Sequence, residues 1–316
     1  RAAEEECRVP NAPHGQVQPG AALGVVRLRW SRSGDFLAAV VSDGRRFAVR
    51  VYHASTLVEH DAFAGHTDMV YALDWSRNDH ELVTASSDGT ARVWATGASR
   101  ADAHVVLQHP AFVYAAAFHP TARLVVTGAF DRAVRLWDQA TAAVVQELRD
   151  HPSAVNALCF SDDGRRLFTG DAGGVLKVYA CDKAGGPAGR AGAGAGLAGA
   201  PEDPGAAREL RLLRGVEGLE GEPICAMRCQ PVRRKLLVLT KRNRLCAVDT
   251  AVLEVTRDYA GARCASHPLS LDVSPDGNFV VCGSEDGRVH AWDVETCAAS
   301  ALPLAGEPRG EPVYAA

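Results

Sequence analysis

The feature that most constrains this 316-residue chain is a recurrence. Residues 66–94 read HTDMVYALDWSRNDHELVTASSDGTARVW, three short apolar runs separated by the turn formers Ser76-Arg77-Asn78-Asp79 and Ser87-Asp88-Gly89. Runs of five or six residues bounded by such turns fit an antiparallel meander. The phrase then returns. After the run ending at Trp94, others end at Trp137 and Tyr179, 43 and 42 residues further on, and a weaker copy ends at Tyr52, 42 residues back. A single meander cannot bury both its faces, so the repeat demands that like units stack on one another.

This period, with a Gly-His opening at Gly65-His66 and Trp-Asp endings at Trp137-Asp138 and Trp292-Asp293, resembles the WD40 repeat. The resemblance implies an all-β fold, a WD40 β-propeller with one four-stranded blade per copy. Six blades are expected over residues 24–316, and a seventh is expected to be truncated at the C-terminus, because 311–316 (EPVYAA) echo the opening of blade 5 at 222–227 (EPICAM). Blade 1 is degenerate, with extra residues in its Ser42-Asp43-Gly44-Arg45-Arg46 turn, and blade 5 is the least typical. Residues 1–23 form a polar N-terminal extension, for which a strand closing the ring is one candidate role. From Tyr179 to Val248, the next equivalent position, is 69 residues, about 27 more than the period. The surplus is an Ala/Gly/Pro-rich stretch at about 183–207, which cannot offset its ordering entropy by burial and is expected to be a disordered insertion.

Composition narrows the functions. A formal charge of −4 gives no sign of a phosphate-binding surface, so no nucleic-acid partner is expected. The nine cysteines are scattered without a C-x-x-C, which fits small buried hydrophobes in a reducing compartment rather than disulfides or a metal site. Apolar runs stay below ~18 residues, so no direct membrane insertion is expected and the chain reads as soluble and cytoplasmic. Its start at Arg1 reads as a piece of a longer protein.

Aligned positions in blades 2 and 3 supply His66, Thr84, Asp88 and Trp94, then His109, Thr127, Asp131 and Trp137. A catalytic constellation occurs once in a cleft, whereas this set recurs per blade. The WD40 resemblance implies instead a structural tetrad, a hydrogen-bond chain from Asp to His to Thr to the Trp indole. Blade 4 keeps Thr169 but has Gly173 where the other two have Asp. With no phosphate loop and no H-E-x-x-H, no catalytic residue, cofactor or metal is expected and the chain is not expected to be an enzyme. The same resemblance assigns to the ring's top face Met69, Tyr71 and Ser87 in blade 2, Phe112, Tyr114 and Phe130 in blade 3, and Ala154 and Asn156 in blade 4, with Tyr314 as the blade 7 counterpart. Aromatic residues and Met gathered at a rim have the composition of an interface centre, so Met69, Tyr71, Phe112, Tyr114, Phe130 and Asn156 are the candidate protein-binding residues.

Beyond the generic repeat, the chain resembles the jouberin family of WD40 proteins. The likeness lies in Cys7-Arg8-Val9-Pro10-Asn11, in 70–76 (VYALDWS) with 87–94 (SDGTARVW), and in 109–114 (HPAFVY) continuing to Phe118-His119-Pro120. It implies a non-catalytic protein-interaction scaffold at the ciliary basal body and transition zone, associated with the cytoskeleton and acting in ciliogenesis with transition-zone or basal-body proteins as partners. The Ala/Gly insertion and blade 5 depart from that family, and neither its coiled-coil region nor its SH3 domain lies in this stretch. The alternative is a substrate receptor of a ubiquitin ligase or another WD40 adaptor. Such receptors often carry W-D-x-R at a third-strand exit, and here 94–97 (WATG), 137–140 (WDQA) and 292–295 (WDVE) lack the Arg.

Overall fold

The computed structural model describes residues 24–44, 46–97, 105–183, 208–230, 234–266 and 269–303. They form six four-stranded antiparallel sheets, each a meander of consecutive strands. Blade 1 comprises β1 (Gly24–Trp30), β2 (Phe36–Ser42), β3 (Phe47–His53) and β4 (Glu59–His66). Blade 2 comprises β5 (Val70–Trp75), β6 (Glu81–Ser86), β7 (Thr90–Ala95) and β8 (Val105–Gln108), and blade 3 β9 (Val113–Phe118), β10 (Leu124–Ala129), β11 (Val134–Asp138) and β12 (Val144–Leu148). Blade 4 is built from β13 (Val155–Phe160), β14 (Arg166–Asp171), β15 (Leu176–Lys183) and β16 (Arg208–Val216), and blade 5 from β17 (Ile224–Cys229), β18 (Lys235–Thr240), β19 (Leu245–Asp249) and β20 (Glu254–Tyr259). Blade 6 has β21 (Leu271–Val273), β22 (Phe279–Gly283), β23 (Arg288–Asp293) and β24 (Ala299–Pro303). The protein is thus an all-β, six-bladed propeller. The expected start of a seventh blade, with Tyr314, lies outside the described residues, as do residues 1–23. The Ala/Gly/Pro-rich stretch does too, apart from its first residue: Lys183 pairs with Arg208 at the base of the β15–β16 hairpin.

The core lies between blades. Buried side chains of blades 1 and 2 form one cluster around Val40, Val51, Phe63, Trp75 and Trp94. Equivalent clusters join blades 2 and 3, 3 and 4, 4 and 5, and 5 and 6. In blades 2 to 6 the third strand turns its large residue toward the preceding blade: Trp94 stacks on Phe63 at 5.5 Å, while Trp137, Tyr179, Val248 and Trp292 occupy the matching places. Burying such residues contributes about 1.5–3 kcal/mol each, and this is what the period of the sequence encodes. The second strand must let the next blade come close. A Cβ on Gly128 would lie 2.6 Å from Val155, and one on Gly170 would lie 2.7 Å from Ile224, so a side chain at either would push two blades apart.

Blades 1 and 6 meet differently. The sixth apolar cluster, around Ala39, Val41 and Tyr52, contains blade 1 residues alone among those described. Among the described residues, the side-chain hydrogen bond between the two blades is an ion pair. Arg29 of β1 donates to Asp272 of β21 at 3.0 Å and lies 3.5 Å from Asp74 of β5, while Asp272 is 3.7 Å from Arg228 of β17. These four residues take the same penultimate place in inner strands β1, β5, β17 and β21, so the ion chain runs round one level of the central channel from blade 2 through 1 and 6 to 5. Burial works to lower the Arg29 pKa, but Asp272 and Asp74 outweigh it and raise the pKa above its ordinary value.

Candidate protein-binding mouth of the channel

The repeated polar sets come first, because they hold the loops that shape one end of the channel. In blade 2, the Asp88 carboxylate accepts from His66 Nδ1 at 2.8 Å, from Thr90 N at 2.9 Å and from Thr90 Oγ1 at 2.6 Å. His66 Nε2 lies 2.7 Å from Thr84 Oγ1, to which the Trp94 indole N–H donates at 2.9 Å. His66 is the last residue of β4, so the chain of bonds staples the outer strand of blade 1 to blade 2. Burial works against the charged Asp88, but hydrogen bonds from His66 and Thr90 outweigh it and hold this carboxyl far below the usual range.

Blade 3 differs from the expected tetrad. His109 Nε2 and the Trp137 indole both meet Thr127 Oγ1 at 2.8 Å, but His109 Nδ1 lies 3.0 Å from the Leu107 carbonyl instead of reaching Asp131. Asp131 is taken by Arg135, whose Nη1 donates to it at 3.2 Å and which also holds Glu147 at 2.8 Å. A cation four residues along outbids an imidazole for the acid. Burial leaves His109 neutral, with its pKa lowered to about 4. Blade 4 has the full acid link that its Gly173 seemed to deny. Asp171, two residues earlier at the end of β14, lies 3.1 Å from His151 Nδ1, and His151 Nε2 lies 2.6 Å from Thr169 Oγ1. The signal was the His151-to-Thr169 spacing, which repeats the 18 residues from His66 to Thr84. In all three sets the His meets the Thr hydroxyl, and the Thr is fully buried.

A second repeated feature decides what faces the channel. Inner strands β1, β5, β9, β13 and β17 each carry a β-bulge near their first residues, at Val26, Tyr71, Tyr114, Asn156 and Cys225. An extra residue in one strand of a pair re-aims its own side chain. Here it turns Tyr71, Tyr114, Asn156 and Cys225 to the wall of a cavity of about 1520 Å³ that all six inner strands line. One backbone bond per blade closes the mouth above them: Ser87 N to Met69 O at 2.9 Å, Phe130 N to Phe112 O at 2.8 Å, Ala172 N to Ala154 O at 2.9 Å and Lys241 N to Pro223 O at 2.8 Å.

The aromatic residues read from the sequence come together in a row. Ring centroids are 4.9 Å apart for Tyr71 and Tyr114, 6.3 Å for Tyr114 and Phe130, and 6.0 Å for Phe130 and Phe112. Phe130 is 56% exposed, Phe112 48% and Met69 37%, while Tyr71 and Tyr114 are half-buried behind them. Burial, then Tyr71, raises the Tyr114 pKa, so its hydroxyl stays a neutral donor. Asn156 stands apart from the row. Its amide donates to the Ile224 carbonyl at 3.3 Å and bridges blade 4 to blade 5. The sequence reading missed Arg27, Arg132 and Lys241, which line the same cavity. The blade alignment could have shown them: Arg27 takes the place of Ala72, Ala115, Ala157 and Ala226, and Lys241 that of Phe130.

Among the described residues no group of three or more His, Cys, Asp or Glu could hold a metal ion, and the eight described cysteines are free thiols, with Cys225 and Cys264 sulfurs 3.7 Å apart. No helix among the described residues is long and apolar enough to cross a membrane.

Six four-stranded meanders, with His–Thr–Trp sets in blades 2 and 3, make this protein a β-propeller with WD40 repeats. The repeat family described as WD domain, G-beta repeat matches residues 58–95, 103–138, 143–180 and 261–293. Within the class the protein is jouberin-like. Jouberin from Rattus norvegicus is 32% identical over 299 residues, which is 92% of this chain and 27% of that relative, and jouberin from Mus musculus gives the same figures. WD repeat-containing protein 44 from Xenopus laevis is 28% identical over 241 residues, 73% of this chain and 23% of its own length. The chain spans about a quarter of the length of these three relatives. Both findings point to a protein-interaction scaffold.

Proposed function

We propose that this propeller is a scaffold of the ciliary base, acting in assembly of the basal body and transition zone, and that it holds a protein partner at the channel mouth rimmed by Met69, Tyr71, Phe112, Tyr114 and Phe130. The observation that carries the docking part is the aromatic row with its outer rings half-exposed: a folded ring rarely leaves such a patch bare unless something docks on it. The ciliary part rests on the likeness to jouberin. A partner that buries Phe130 and Tyr114 would gain from each about 2 kcal/mol, the size of an anchor residue.

The test follows a tagged full-length protein in a ciliated cell, wild type against Phe130→Ala. Wild type should concentrate at the ciliary base and the variant should lose most of that enrichment at equal expression. Diffuse wild-type protein would remove the ciliary part. Equal enrichment of both would move the interface off this mouth.

A further inference from the structure

The wall of the channel is divided by charge along its length: one half mixes carboxylates with Arg29, Arg32 and Arg228, and the other carries cations alone among the described lining residues. Its carboxylates, Asp35, Asp74, Asp162 and Asp272, all belong to the half away from the aromatic row: Asp35 and Asp162 sit in turns that follow inner strands, and the other two are the penultimate residues of β5 and β21. The half beside the aromatic row carries Arg27, Arg132 and Lys241 and no carboxylate among the described lining residues. On a chain whose formal charge is −4, this is a local reversal of sign.

Each of the three cations is placed by the blade geometry. Arg27 follows the bulge of β1 and donates through Nε to the Tyr71 carbonyl at 2.7 Å, which fixes its guanidinium against the aromatic row. Burial, with Arg228 adding repulsion, lowers its pKa to about 10. Lys241 holds the rim position that Phe130 holds in blade 3. Arg132 occupies the corner of the β10–β11 turn with φ +67°, in the left-handed region where blades 2, 4 and 6 place Gly89, Gly174 and Gly287 and blade 5 places Asn243. A β-carbon there costs about 1 kcal/mol that glycine would avoid. Among the described residues, neither Arg132 nor Lys241 is ion-paired to a carboxylate. A strained, unpaired arginine beside two exposed phenylalanines is a poor choice for stability and a good one for recognition.

We propose that the occupant of this mouth is an acidic protein segment. Its Asp or Glu carboxylates meet Arg132, Lys241 and Arg27, and an apolar neighbour lies on the Phe112–Phe130 end of the aromatic row. This rests on the docking reading above and gives it a chemistry. In the far half Asp74, Asp162 and Asp272 are already matched by Arg29, Arg32 and Arg228, whereas Arg132 and Lys241 face no carboxylate among the described residues, so the segment docks across the mouth. Positive potential focused in a low-dielectric cleft favours such partners in rate and in choice.

The test uses two fluorescein-labelled twelve-residue probes, three repeats of Glu-Glu-Leu-Phe and three of Lys-Lys-Leu-Phe, read by fluorescence anisotropy at low and moderate salt. The Glu probe should bind at least tenfold more tightly than the Lys probe, with the gap narrowing as salt rises. Lys241→Ala and Arg132→Gly should each weaken the Glu probe about threefold to tenfold. Arg132→Gly should also raise the melting temperature, so lost binding cannot be blamed on lost folding. Equal binding of the two probes, no binding of either, or affinity unchanged in both variants would overturn the proposal. Failure of the docking reading looks different: Phe130→Ala would then leave Glu-probe affinity intact.

Discussion

Asp88 and Asp131 occupy the same place in successive blades, yet removing them should have unequal effects. Asp88 is 5% exposed and its carboxylate serves His66 Nδ1, Thr67 N, Thr90 N and Thr90 Oγ1. In Asp88→Ala these donors lose a charged acceptor, and Thr90 Oγ1, 3.4 Å from His66 Nδ1, recovers only part of the loss. At about 1.5–3 kcal/mol for bonds to a charged group, offset by the desolvation that the carboxylate no longer suffers, the net cost is about 3 kcal/mol. Asp131 is 16% exposed, and its partner Arg135 keeps Glu147 when the aspartate goes. His109 does not depend on it, so Asp131→Ala should cost about 1 kcal/mol. Urea unfolding followed by tryptophan fluorescence reads the difference: with a slope of about 3 kcal/mol per molar, the midpoint falls by about 1 M for the first variant and about 0.3 M for the second. The sign with pH is also fixed. A carboxyl whose folded pKa is depressed contributes stability above its unfolded value near 3.9, and loses it as pH falls through the folded value. The gap between wild type and Asp88→Ala should therefore stay constant from pH 7 to about 5. Equal midpoint shifts for the two variants, or a larger one for Asp131→Ala, would refute the reasoning.

His109, neutral in the fold with a pKa near 4, contributes stability above pH 6.5 that is lost as pH falls toward 4, up to about 3 kcal/mol. The thermal midpoint should thus fall faster with acidification in wild type than in His109→Asn, and parallel curves would count against it. Asp272→Asn should cost about 1–2 kcal/mol by leaving Arg29 with Asp74 alone, and its stability should respond less to added salt than that of wild type. Replacing residues 184–207 by a short Gly/Ser link should leave the urea midpoint nearly unchanged, because loop length enters only logarithmically; a loss above about 1 kcal/mol would mean that the stretch packs.

The blades were legible because their spacing is set by core residues that must recur: Trp94, Trp137, Tyr179 and Trp292 each fill the same gap against a preceding blade. The aromatic row was legible for the same reason, since alignment to one blade fixes the rim positions of the next. Partner choice within the polar sets was not. Whether Asp131 meets His109 or Arg135 depends on a residue four places along, which a motif centred on His, Thr, Asp and Trp ignores. Asp171 escaped notice because the acid moved two places while the histidine it serves stayed put. The cations of the mouth were invisible for a third reason. Arg27 and Lys241 stand at positions where the other blades have alanine or phenylalanine, and a search for what repeats passes over what breaks the repeat.

Among the described residues, the ion pair between blades 1 and 6 sets that contact apart from the other five, with a different thermodynamic signature. Parting any of the five apolar seams wets hydrocarbon, so each such opening carries a positive heat-capacity change and is promoted by urea. Among the described residues, the seam at Arg29 and Asp272 has charges where the others have hydrocarbon. Its opening would wet little apolar surface and carry little heat-capacity change. Ionic strength would set its equilibrium, almost independently of the conditions that loosen the rest of the molecule.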